Sequence, residues 1–162
     1  MFKAITRKAP AGHRVVLPTP GGPADPRSAG ATLVVYNSGG KAEKATVLLP
    51  GFDPVTGSGW YLVGIPSAPV AYRYRGTDPA GPIRRIIVKP DLILIKGGKA
   101  NWTYSLAQPP QRSIAVQLKL GAQNPWCANA PARLSSPASF DTRARFFGQP
   151  KSPLPAPCPL IP

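Results

Sequence analysis

The sequence is poor in the residue types that most enzymes use for chemistry. Its 162 residues include one histidine, two cysteines and six acidic residues. A hydroxyl or thiol nucleophile normally needs a neighbouring general base, and His13 has no such partner nearby in the sequence. One histidine and two distant cysteines fall short of a zinc set, and no calcium-binding loop pattern is present. We therefore expect no catalytic residues, no metal site and no cofactor.

Most of the acidic residues lie beside proline. Asp25, Asp53 and Asp78 each precede a proline, and short acidic side chains at such positions bond to nearby backbone in turns. Glycosidase-type acid–base catalysis needs two carboxylates held together, and the spacing here favours no pair. An enzyme built around His13 or Asp141 is the remote alternative.

Long apolar runs are also missing. No run reaches the roughly 18 residues that a membrane-spanning helix needs, so we expect no membrane span. No segment shows a helix cap followed by a period of 3.6 residues. The basic N-terminal segment lacks the apolar centre of a signal peptide. The sequence is therefore expected to be a mature chain, a fragment or a protein that stays inside the cell.

What the sequence does contain is β-type alternation divided by turn residues, with 23 prolines and 16 glycines. In 113–120, apolar residues alternate strictly with polar or small ones, which places one face inward. Similar runs are predicted at 2–6, 14–17, 31–37, 43–49, 60–65, 71–75, 126–128 and 142–147, and at three more places in 82–121. This pattern predicts an all-β fold, an antiparallel β-sandwich or open barrel of about nine or ten short strands.

The length fits one domain. We predict a β-sandwich domain over 1–147, followed by an extended, proline-rich tail over 148–162. The even pair Cys127 and Cys158 suits an oxidising compartment. If bridged, these cysteines would close a loop of about 30 residues and stabilise the fold by on the order of 3–4 kcal/mol. The alternative is two unrelated thiols, one of them buried beside Trp126.

Positive charge is the strongest compositional feature, because 20 basic residues outnumber six acidic ones and give a net charge of +14. Such a surplus attracts polyanions, namely nucleic acid, acidic polysaccharide or an anionic membrane surface. The alternative is that the charge only keeps a β-protein soluble and discourages pairing between sheet edges. The candidate polyanion-binding residues are Arg73, Arg75, Arg84, Arg85, Arg143 and Arg145.

Aromatic residues lie among several of these arginines. Aromatic rings beside arginines can stack on bases or sugar rings while the arginines hold phosphates or sulfates. The alternation of tyrosine and arginine in 72–75 favours the other interpretation, in which the tyrosines face the core and the arginines face water. The aromatic residues concerned are Trp60, Tyr61, Tyr72, Tyr74, Trp102 and Tyr104.

Several segments occur together in a familiar order. They are ATLVVYNSGG, ATVLLP, the GW at 59–60, PIRRIIVKPDLILIKGGKANWTYSL, QRSIAVQLKLG, PWCANAPA and PAPCP. This order, over about 2–159, is similar to an unnamed β-rich module of predicted secreted or cell-surface bacterial proteins. The resemblance implies an extracellular β-domain and a bridge between Cys127 and Cys158, and it carries no catalytic residues. In that module the first strand begins earlier than Phe2, so we expect a truncated chain or a strand supplied from elsewhere.

These features favour a non-enzymatic, extracellular or cell-surface domain with a structural or adhesive role. In one variant it is a subunit of a surface assembly, in which 2–6 pairs with a strand of a neighbouring protein. The alternative is a basic module that binds acidic glycans or, less favoured, nucleic acid.

Overall fold

The computed structural model describes residues 2–98, 101–123, 125–133, 141–143, 145–149, 152, 154–155 and 157–162. In this part of the chain two antiparallel sheets form and no closed barrel, so the predicted β-sandwich is confirmed. The strands are β1 (Lys3–Arg7), β2 (Ala31–Asn37), β3 (Lys44–Leu49), β4 (Gly59–Ile65), β5 (Ala68–Arg75), β6 (Ile83–Lys89), β7 (Leu92–Gly97), β8 (Ser113–Leu120) and β9 (Trp126–Pro131). Sheet A has the order β1-β7-β6-β5-β4, and sheet B has the order β3-β2-β8-β9.

The core lies between the two sheets and follows the alternation of the strands. Leu33 of β2 and Leu118 of β8 point inward from sheet B, and Trp60, Tyr72 and Ile86 point inward from sheet A. Each of these side chains is at most 2% exposed. Full burial of an aliphatic side chain contributes roughly 1.5–3 kcal/mol to the free energy of unfolding. The side chains packed between the two sheets are therefore the main source of stability.

Three predicted runs are not strands. Residues 14–17 lack a ladder, although the Val15 N–H donates to the Pro90 carbonyl. The third of the four runs predicted within 82–121, at 102–106, keeps its alternation of exposure without a ladder, because Trp102 and Tyr104 pack against the core from a loop. In the run at 142–147, the described residues form an isolated bridge, in which Phe146 pairs with Asp141, instead of a strand. Ala144 lies outside the described residues.

A single-turn helix, α1 (Pro26–Ala29), was not expected from the sequence, since four residues are too few to show helical periodicity. Asp25 caps it by accepting a hydrogen bond from the Arg27 N–H at 2.9 Å, and Pro26 suits the first helical position. Burial raises the pKa of Asp25, but hydrogen bonds from Arg27 and Gly21 outweigh burial and lower that pKa overall. Among the described residues, no helix is long and apolar enough to cross a membrane.

The predicted disulfide is present and joins Cys127 of β9 to Cys158. We call residues 157–162 the C-terminal strap. Its Pro159 carbonyl accepts hydrogen bonds from Gln117 of β8, at 2.9 Å, and from the Tyr36 hydroxyl of β2, at 2.6 Å. The strap therefore crosses the outer face of sheet B from β9 towards β2.

Contacts at the end of the strap extend this path to the edge strand β3, where the Lys44 ammonium donates to the Pro162 carbonyl. Tyr36 shows the effect of this covering on the sheet. Its neighbour Val35 faces the core, so the Tyr36 ring points outward, yet Tyr36 is 0% exposed. Burial raises the pKa of Tyr36, opposed by a hydrogen bond from Gln117. The chain's own tail thus covers part of the outer face of sheet B, around Tyr36.

Candidate anion-binding face

Basic residues are divided unequally between the two sheets. The strands of sheet B contain only Lys44 and Lys119 as charged residues. The strands of sheet A contain no acidic residue, but they carry Lys3, Arg7, Arg73, Arg75, Arg84, Arg85, Lys89 and Lys96. Of the two sheets, sheet A therefore carries the larger share of the positive charge, and the strap lies on the other sheet.

The alternation of β5 directs two of these arginines to the outer face of sheet A. Tyr72 and Tyr74 are buried on the core side, whereas Arg73 and Arg75 are exposed. This confirms the prediction that the tyrosines in 72–75 face inward and the arginines face water. Trp60 also lies wholly in the core, so most of the aromatic set identified in the sequence is structural.

Four of the predicted arginines meet in one open cleft of about 340 Å³. Arg75 of β5 lies directly opposite Arg85 of β6. Arg84 is the additional residue at an irregularity in the pairing of β6 with β7, and such bulges redirect a side chain. The residues that line the cleft are Arg73, Arg75, Gly76, Thr77, Arg84 and Arg85.

The charges in this cleft are not neutralised by the described part of the chain. No described carboxylate forms an ion pair with any of the four guanidinium groups. Arg84 donates to the Asp78 backbone carbonyl at 3.1 Å, and the buried Nε of Arg85 has no hydrogen-bond partner among the described residues. Like charges directly opposite each other on a sheet are destabilising, so the Arg75–Arg85 pair costs stability unless an anion binds.

The register of sheet A extends this pair into a row. Lys3 of β1 lies opposite Lys96 of β7, Lys96 lies opposite Arg85 of β6, and Arg85 lies opposite Arg75 of β5. We call these four residues the cationic row. The sequence did not identify Lys3 and Lys96 as site residues, although their outward position in each alternation is visible there.

An aromatic pair borders the cleft on the side of β4. Tyr61 lies opposite Arg73 and so faces outward beside it. The Phe52 ring packs edge-on against Tyr61 with centroids 5.0 Å apart, and Phe52 is 44% exposed. The Tyr61 hydroxyl donates to the Gly57 carbonyl at 2.5 Å, which fixes the ring. Phe52 was not expected as part of the site, because its position depends on how the loop before β4 folds back.

The other two predicted arginines lie elsewhere. Arg143 and Arg145 are exposed in the segment that follows β9, and they do not line the cleft. In the same segment the Asp141 carboxylate accepts hydrogen bonds from the backbone N–H groups of Gln111 and Arg112, each at 2.6 Å. The remote role of Asp141 in catalysis has no support from this arrangement, since the carboxylate supports the start of β8.

A second polar cluster lies around the fully buried Gln111. Its side chain donates to Glu43 at 3.0 Å and accepts from Asn37 at 2.8 Å and from Tyr104 at 2.6 Å. Burial raises the pKa of Glu43, but hydrogen bonds from Ser105 and Gln111 outweigh burial and lower that pKa overall. The pKa of Tyr104 is raised by burial and by the negative charge of Glu43. Because the amide groups of Gln111 are satisfied, this cluster anchors a loop to sheet B and leaves no group for a ligand.

Within the described ranges, no group of three or more histidine, cysteine or acidic side chains is placed to hold a metal ion. The carboxylates of Asp53 and Asp78 accept hydrogen bonds from nearby backbone N–H groups, which confirms their predicted role in turns.

Comparisons with models of protein families, with characterised proteins and with solved structures found no match to this chain.

Proposed function

We propose that the protein is a non-enzymatic, extracellular adhesive domain that binds an acidic polysaccharide through the outer face of sheet A. The observation that carries this proposal is the convergence of Arg73, Arg75, Arg84 and Arg85 on one cleft without an acidic partner in the described chain. Guanidinium groups bind sulfate and carboxylate groups through paired hydrogen bonds, so a cluster of four suits a ligand with several negative charges.

The disulfide favours a glycan over nucleic acid as the ligand. Disulfides persist mainly in oxidising compartments such as the cell exterior, where acidic polysaccharides are abundant polyanions. The aromatic residues beside the arginines agree with this choice. Single-stranded nucleic acids are usually held by aromatic side chains that stack on successive bases, and the face offers one pair, Tyr61 and Phe52.

The alternative in which the chain is a subunit of a surface assembly is also a proposal. It is favoured by β1, which is an edge strand of sheet A and pairs on one side with β7. The exposed Lys3 on that strand opposes pairing with a second basic copy, because charged residues on edge strands discourage association. Protein that stays monomeric at high concentration in sedimentation equilibrium would contradict this alternative.

The proposed function predicts binding that depends steeply on salt. Each charge neutralised on the ligand releases counter-ions, and the logarithmic slope is roughly 0.7–0.9 per contact. With about four contacts, affinity for a sulfated uronic-acid oligosaccharide should fall roughly 50–150-fold between 50 and 200 mM salt. Isothermal titration calorimetry over this range measures the slope.

The matched control ligand is an uncharged oligosaccharide of the same length, for which no binding is expected. A single-stranded oligonucleotide of equal charge tests the other ligand class. Binding that stays constant as salt rises would contradict an electrostatic site, and tighter binding of the oligonucleotide would replace the glycan with nucleic acid as the ligand.

A further inference from the structure

The cationic row has a defined direction and length. Lys3, Lys96, Arg85 and Arg75 belong to four neighbouring strands, so the row runs across the strands and offers one cation on each. Neighbouring strands lie about 4.8 Å apart, which gives the row a length of about 14 Å. The spacing between successive cations is close to the length of one sugar ring in an extended glycan.

The row has a closed end at β4. Gly59 occupies the next position after Arg75 and has no side chain to offer. Its φ of 107° is a conformation that other residues rarely adopt, and a Cβ at this position would collide with the Gly51 carbonyl. The backbone before β4 therefore covers the sheet here, so a ligand in the row can extend past Lys3 but not past Arg75.

An apolar strip lies beside the cationic row. Two residues further along the strands, Ile5, Leu94 and Ile87 face outward in register with one another. Ile5 is 39% exposed, and the other two are half-buried. The strip ends at Arg73 and Tyr61, where the aromatic pair begins. Aliphatic side chains can bury the apolar C–H faces of sugar rings, whereas successive nucleotide bases are usually held by a series of aromatic rings.

From this juxtaposition we infer that the ligand is a linear acidic glycan that lies across the strands of sheet A, with one charged sugar over each of β1, β7, β6 and β5. This inference rests on the proposed function. The acidic groups contact the cationic row, and the ring faces lie on the strip of Ile5, Leu94 and Ile87. The site therefore has a length of about four charged sugars.

The test compares short and long ligands on a variant at the Lys3 end of the row and on a control variant outside sheet A. Sulfated uronic-acid oligosaccharides of two and of six sugars are titrated into the wild type, into Lys3→Gln/Lys96→Gln and into Lys41→Gln/Lys119→Gln. The last variant loses the same charge outside sheet A and controls for net charge. We expect the Lys3/Lys96 variant to bind the longer ligand about tenfold more weakly than the control and the shorter ligand equally well.

The outcomes separate this inference from the proposed function. Equal affinity of the Lys3/Lys96 variant and the control for the longer ligand would overturn the orientation, even if the wild type binds it. No binding of either ligand by the wild type would overturn the proposed function itself. A wild type that gains no affinity from two to six sugars would also overturn the orientation across four strands.

Discussion

Replacement of both Cys127 and Cys158 by alanine is expected to lower the free energy of unfolding by about 3–4 kcal/mol. The two cysteines are 31 residues apart, and a cross-link over this length restricts the unfolded chain by roughly that amount. For a chain of this size the loss corresponds to a fall in Tm of roughly 10 °C. Denaturant unfolding and calorimetry under non-oxidising conditions measure both quantities.

The loss of the disulfide should also release the strap and expose Tyr36. We expect the raised pKa of the Tyr36 hydroxyl to return towards its ordinary value, which a spectrophotometric titration of tyrosine detects. Tyr36→Phe is the matched control, because it keeps the disulfide and removes only the hydrogen bonds of the hydroxyl with Pro159 and Gln117, at a cost of about 1–3 kcal/mol. Unchanged stability of the double cysteine variant, with Tyr36 still protected, would show that the strap is held by its other contacts.

Local alternation allowed the sandwich and the orientation of several side chains to be predicted from the sequence. The hairpin of β2 and β3 follows from two alternating runs separated by Ser38 and two glycines. The alternation in 72–75 placed tyrosines inward and arginines outward, as the structure shows. These features depend on neighbours in the sequence, so they need no knowledge of how the strands are ordered.

The cationic row could not be predicted in the same way, because it depends on strand order and register. β1 pairs with β7, almost 90 residues later, and a shift of one residue would turn Lys3 to the other face. No local signal fixes that pairing. The contact of Phe52 with Tyr61 likewise requires the loop before β4 to fold back onto the sheet.

The burial of Gln111 is a further feature that the local sequence does not predict. A glutamine between Pro110 and Arg112 is typical of an exposed turn, yet Gln111 is 0% exposed. Its burial is tolerated because Asn37 and Glu43, from a distant part of the chain, supply hydrogen-bond partners.

Substitution of Arg75 and Arg85 by glutamine is expected to separate binding from stability. These arginines form the centre of the cleft, and the loss of both contacts should weaken binding of a sulfated hexasaccharide roughly 10–100-fold, or about 1.4–2.7 kcal/mol. The free energy of unfolding should stay constant or rise slightly, because the variant removes two like charges that lie directly opposite each other. Calorimetric titration and denaturant unfolding of the same preparation measure the two effects.

The most direct test of whether the outer face of sheet A is the binding surface compares two variants. The affinity of the Arg75/Arg85 variant for the hexasaccharide is measured against that of Lys41→Gln/Lys119→Gln. Both variants lose two positive charges, but only one loses them from that face. We predict that the arginine variant binds the hexasaccharide at least tenfold more weakly than the lysine variant at low salt, in line with about 1.4 kcal/mol. Equal affinities of the two variants would mean that net charge alone attracts the ligand, and would contradict a binding site on sheet A.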